Sequence, residues 1–161
     1  MSSPSPADRL ASPAPPWVHL LVAGDDGPAT LRASPPDFVI RTLDGRRGRT
    51  KRALLDELSR VFGFPAHFGR TWDALEDCLT DLGWLPGAGY RLIIVAADRL
   101  LARDPVGYAT FVALLEDVGR AWATAATGHP GRNAVPFHTV LVVPASRLGT
   151  RPNWRVSHLP A

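Results

Sequence analysis

The sequence predicts an α/β protein: a small parallel sheet of three strands, packed with helices and extended by an N-terminal β-hairpin. Three observations carry that expectation. Between residues 37 and 144 the periodicities follow in the order strand, helix, helix, strand, short helical turn, helix, strand. That order favours parallel strands joined by helical crossovers. Tyr90 to Ala96, with the unbroken apolar run Leu92 to Ala97 at its heart, reads as a strand buried on both faces. Two neighbouring segments place apolar residues at helical spacing, each behind a threonine able to cap it.

The elements follow in order. Residues 1–16, with five prolines and little to bury, are expected to be disordered. Trp17 to Val22 reads as a strand, Asp25-Asp26-Gly27 as a turn, and Ala29 to Arg32 as the return strand of a hairpin spanning 17–36. Phe38 to Leu43 is the next strand, closed by Asp44-Gly45. Thr50 caps a helix over Lys51 to Phe62, where Leu54, Leu55, Leu58 and Phe62 share a face and Gly63 is the stop. A second helix runs from about Thr71 to Leu82, and Gly83 to Gly89 forms a loop. After the Tyr90 strand and a turn at Asp98 to Leu101, Asp104-Pro105 starts a helix with a core stripe of Phe111, Leu115, Val118 and Trp122. Gly128 to Pro136 breaks the chain, and Phe137 to Val143 is the last strand of the domain. A basic tail, 145–161, contains Asn153 to Val156 as a candidate edge strand.

Chemistry concentrates on the helix at 71–82. On a wheel of roughly 100° per residue, Trp72, Ala74, Leu75, Cys78, Leu79 and Leu82 fill one half, and Asp73, Glu76, Asp77, Thr80 and Asp81 the other. From Thr71 to Tyr90 there are four carboxylates and no Lys or Arg. Asp73/Asp77 and Asp77/Asp81 are i,i+4 pairs of like charge, each costing some tenths of a kcal/mol. An acidic outer face is most often simply solvated, and Asp73 in the first turn is favoured by the helix dipole. A face of one sign is also a docking surface for a cationic partner. Cys78, on the apolar half, is expected to be a buried core thiol.

The run Pro65-Ala66-His67-Phe68-Gly69-Arg70-Thr71-Trp72-Asp73-Ala74-Leu75-Glu76-Asp77-Cys78-Leu79 resembles the signature of the barstar family, intracellular inhibitors of barnase-type ribonucleases. The likeness is contiguous over about fifteen residues, and the element order agrees with a barstar-like domain over 37–144. The resemblance implies that Asp73 and Asp77 enter a nuclease active site, with His67 and Thr80 as further contacts. Glu76 on the same face and Gly69 in the loop complete the implied partner-binding set. Thr71 stands where the family usually has Asn, and His67 where Tyr is common. Glu116 and Asp117 lie on the helix that often supplies extra acidic contacts, although Glu116 with Arg120 is also an ordinary i,i+4 ion pair.

Composition bounds the remainder. At 161 residues, 45% hydrophobic and 20% charged, the chain is expected to form one globular domain. A single Cys excludes an internal disulfide, and the absence of a secretory h-region or a long apolar run points to the cytoplasm and away from membranes. The five His show no metal-ligand spacing, and no phosphate loop or nucleophile elbow is present, so neither a cofactor nor an enzyme is expected. The net charge of +3 carries a pI near 9.7, against the acidic balance common among barstar-like inhibitors. With one Lys against seventeen Arg, part of that basicity is compositional. The expected partner is a basic extracellular-type or toxin ribonuclease, bound by a chain that is monomeric when free. Two rivals remain: an interaction module for a non-nuclease partner, and an RNA-binding module using Arg46, Arg47, Arg49, Lys51 and Arg52.

Overall fold

In the computed structural model, which describes residues 2–24, 29–124 and 133–159, one five-stranded parallel sheet organises the chain. Its strands are β1 (Val18–Val22), β2 (Phe38–Asp44), β3 (Gly89–Val95), β4 (Phe137–Val143) and β5 (Ser157–His158), arranged β2-β3-β4-β1-β5. The helices are α1 (Pro6–Ala11), α2 (Lys51–Phe62), α3 (Trp72–Asp81) and α4 (Pro105–Ala123). The expected strands at 38–43, 90–96 and 137–143 are the first three of that order, in register with one another.

The three-strand expectation is therefore corrected to five, and the hairpin is replaced. β1 runs parallel to β4, Val18 opposite Thr139 through Val22 opposite Val143. Trp17 through Leu21 are buried without alternation, the pattern of an interior strand rather than a half-exposed hairpin arm. Ala29–Leu31 is a single 3₁₀ turn that drops Leu31 onto the sheet. The anticipated turn at Asp25–Gly27 and most of the break at 128–136 lie outside the described residues. The second flank of the sheet comes from the tail: Ser157–His158, not Asn153–Val156, pairs with β1.

Residues 1–16 also depart from expectation. Ser5 caps α1 through a capping box, its hydroxyl accepting from the Asp8 N–H while the Asp8 carboxylate accepts from the Ser5 N–H at 3.1 Å. Six residues cannot hold a helix alone. Leu10, 1% exposed, anchors this one to the sheet with Leu21, Leu31, Ile93, Val140, Val142 and Leu159.

The sheet is thus covered on both faces. Residues at 18, 20, 92, 94, 141 and 143 point into the main core, under α2, α3 and α4. Each of those helices starts where the sequence says: Thr50 accepts from Ala53 N–H, Thr71 from Ala74 N–H, and Asp104 from Gly107 N–H. Gly119, in mid-α4, exists because Trp17 packs across it; a Cβ there would lie 2.3 Å from the Trp17 side chain. The basic tail is packed as well. Trp154 is buried against Tyr108, whose hydroxyl donates to the Trp154 carbonyl at 2.7 Å, and the Arg151 guanidinium stacks 3.6 Å from the Tyr108 ring centre.

Candidate functional site

The surface built by α3 begins with its approach. Phe64 and Phe68 are buried and in ring contact at 4.9 Å, pinning the loop at both ends. Between them the chain turns, Phe68 N–H donating to the Pro65 carbonyl, and His67 is left exposed. Gly69 and Arg70 are exposed as well, and Arg70 adopts φ 50° with its Nε donating to Asp56 at 2.6 Å. The loop is therefore held by core aromatics and an ion pair while its polar residues stay open.

α3 is then fixed in rotation. Leu75, Leu79 and Leu82 are fully buried, Leu82 in the left-handed conformation that ends the helix (φ 47°). Trp72 stacks on Phe111 of α4 at 6.0 Å, and Trp122 of α4 donates its indole N–H to the Leu79 carbonyl at 2.8 Å. This leaves Asp73, Asp77 and Asp81 exposed, as the wheel requires, and Glu76 and Thr80 at the margin. The Thr80 hydroxyl donates to the Glu76 carbonyl at 2.8 Å, so its oxygen keeps only accepting capacity for a partner. Cys78 is half-buried rather than fully enclosed, because it lies at the edge of the apolar arc; burial first, then Asp77 and Asp81, pushes its thiol pKa up.

Among the described residues none of Asp73, Glu76, Asp77 and Asp81 forms an ion pair. Glu76 is the most constrained. It lines a shallow groove of about 300 Å³ with Trp72, Asp73, Thr110, Ala113 and Asp117. Partial burial, then Asp117, Asp73 and Asp77, raise its pKa, so the groove disfavours its own negative charge until a cation arrives.

Asp117 is what the linear pattern did not settle. The two acids of α4 separate cleanly in space. Glu116 turns toward the N-terminal strand, accepting from the Val18 N–H at 3.3 Å, and burial raises its pKa against those backbone donors. Asp117 turns toward α3, and it, not Glu116, pairs with Arg120 at 2.7 Å. The signal was the stripe Thr110, Ala113, Asp117, one step round from the core stripe of α4. Its meaning depended on which flank α3 occupies.

The basic cluster is less open than its sequence suggests. Arg46 is bound to both carboxylate oxygens of Asp44, and Arg47 lies 3.9 Å from Glu57. Among the described residues no group of His, Cys, Asp or Glu is arranged to hold a metal ion, and no helix is long and apolar enough to cross a membrane.

One face of the parallel α/β domain carries three helices, and between α3 and α4 lies an acid-lined groove in which, among the described residues, Asp117 alone of the acids has an ion-pair partner, Arg120. The family described as Barstar (barnase inhibitor) matches residues 38–142, about two thirds of the chain. The chain belongs to the barstar family, whose members are inhibitors and not enzymes. Comparison with curated proteins finds no match.

Proposed function

We propose that this chain is an intracellular inhibitor that closes the active site of a secreted or toxin ribonuclease with the acidic face of α3. A nuclease that cleaves RNA gathers cations around a phosphate pocket, and a carboxylate on a rigid helix replaces the phosphate with charge-assisted hydrogen bonds. The observation that carries this reading is the row Asp73, Asp77 and Asp81, exposed and without an ion pair among the described residues, on a helix whose rotation is locked by Trp72 and Trp122. Asp77, at the middle, fills the phosphate pocket; Asp73 and Glu76 meet neighbouring cations, and Asp117 extends the acid across to α4. His67 and Gly69 contact the rim from the loop, and Thr80 accepts a hydrogen bond one turn on. The barnase–barstar pair is itself a worked case of an acidic hot spot and of charge coupling.

The test is RNA cleavage by a panel of barnase-type ribonucleases, barnase included, in the presence of the whole chain. Inhibition of at least one member, lost on Asp77→Ala with the fold retained, is the expected result. Cleavage unaffected across the panel overturns the reading.

A further inference from the structure

The acidic surface does not stand alone: a cationic cradle adjoins it across Trp72. Lys51 and Arg52, both exposed, lie in the first turn of α2, and with Leu55 and Arg70 they line a depression of about 300 Å³. The Lys51 ammonium sits 5.2 Å from the centre of the Trp72 ring, and Trp72 lines the acidic groove with Asp73 and Glu76. Arg70 stands three residues before Asp73 on the approach to α3.

The fold uses these cations only in part: Arg70 holds the loop through Asp56, and Lys51 lies over the Trp72 ring. Cations in a first turn oppose the helix dipole and cost a few tenths of a kcal/mol each. Lys51 and Arg52 make no ion pair among the described residues, and Arg70 reaches Asp56 with one nitrogen, leaving further donors on its guanidinium. Their steering effect is also contrary. A chain of net charge +3 gains no long-range attraction to a basic partner, so negative charge on the partner opposite these cations favours association.

We infer that the cognate ribonuclease carries a surface carboxylate beside its cationic cleft, and that this carboxylate seats in the cradle of Lys51, Arg52 and Arg70 while the cleft receives Asp77. The interface is dipolar, and the second pair fixes orientation and excludes nucleases whose rim is basic. This rests on the inhibitor reading. A protein carboxylate fits better than RNA, because the cradle is three cations wide and borders Asp73; a phosphate chain running beyond it meets like charge.

Two measurements test the inference. Tetraglutamate titrated into the full chain at low salt should shift the backbone amide NMR signals of residues 51, 52 and 70, and Lys51→Glu with Arg52→Glu should abolish those shifts. Shifts centred on Arg147 and Arg155, or none, overturn it. So does a short single-stranded RNA that binds the same residues more tightly than tetraglutamate. Against the panel member best inhibited, the Lys51→Glu, Arg52→Glu chain should bind about tenfold or more weakly, with urea stability equal or slightly higher. Unchanged inhibition by that variant, while Asp77→Ala abolishes it, overturns the cradle and leaves the inhibitor reading standing. If the wild type inhibits no member, the inhibitor reading fails, and with it the seating of a nuclease carboxylate.

Discussion

Two regions of this molecule gather like charges and treat them in opposite ways. On α3, Asp73, Asp77 and Asp81 stand in water without an ion pair among the described residues. On the sheet face away from α2–α4, Arg91, His138 and His19 are buried together, at 1%, 0% and 2% exposure, with no carboxylate among their hydrogen-bond partners. There the charge is discharged or absorbed. His138 Nε2 meets the Ser12 carbonyl at 2.6 Å and so donates; with burial holding both rings neutral, its Nδ1 accepts from His19 Nε2 at 2.9 Å. Arg91 donates to the Leu31 and Ala33 carbonyls, while its Nε and Nη2 find no partner among the described residues. Charge left open to solvent is free to bind, whereas charge shut under a cover makes the cover depend on protonation.

The largest effect that sharpens this contrast is on binding. Asp77→Ala should weaken association with an inhibited ribonuclease by several kcal/mol, because the partner's desolvated cations are left unpaired. Glu116→Gln, on an acid that is spent on the Val18 N–H, should leave association unchanged. Titration calorimetry of the two variants against one nuclease checks both. Equal losses would mean that the open and the engaged acids do not differ.

Acidification tests the covered region. Burial first, then His138 and Arg9, holds His19 down at about 3 against an ordinary 6.5, and burial likewise lowers His138. The unfolded chain therefore takes up protons below about 6.5 that the folded chain refuses, so stability is complete above that value and falls as pH drops toward 3. The slope is about 1.4 kcal/mol per pH unit for each histidine held neutral. Arg9, beside His19, and Arg91, beside His138, add positive charge that disfavours protonation, while Asp8 lines the same cavity as His19. Urea unfolding of the whole chain at descending pH should show this loss, and a flat profile would show that the histidines are not kept neutral.

The two regions also differ in how far the sequence announced them. α3 was legible because its signals are local: Thr71 as cap, an apolar arc of 3.6 periodicity, acids on the opposite arc, and a signature run of residues. α2 and α4 were legible for the same reason. The second sheet face was not, because its cover comes from segments far apart in sequence. Ser5-Pro6-Ala7-Asp8 is a capping box that five prolines obscured, and Leu10 looks like a stray apolar residue until it meets Leu21 and Val140. Trp17 to Leu21 lacked the alternation of a hairpin arm, which already argued for an interior strand. Gly119 in mid-helix was the remaining clue to that docking. Which flank of α4 meets α3, and so the roles of Glu116 and Asp117, depended on tertiary packing alone.

Cys78 gives a smaller effect at the border of the docking surface. Its sulfur packs against the core while part of the residue stays accessible. Cys78→Ala should cost about 1 kcal/mol through a small, partly solvated cavity and leave inhibition unchanged. A thiol reagent should label the native protein slowly near neutral pH, because the raised thiol pKa keeps thiolate scarce. Fast labelling coupled to lost inhibition would place the thiol inside the docking surface.

The smallest expected effect comes from the same substitution as the largest. Asp77 faces Asp73 and Asp81 at i−4 and i+4, and each like pair opposes helix formation by some tenths of a kcal/mol. Alanine removes both repulsions and has the higher helix propensity, by up to about 0.7 kcal/mol. Among the described residues the Asp77 carboxylate makes no hydrogen bond; it is the backbone carbonyl of Asp77 that meets the Thr80 hydroxyl, at 3.2 Å. Asp77→Ala should therefore raise the urea midpoint slightly, by about 0.5 to 1 kcal/mol of stability, while it destroys binding. A fall in stability would show the carboxylate acting within the fold, and α3 would then belong with the covered sheet face as a place where charge serves the structure.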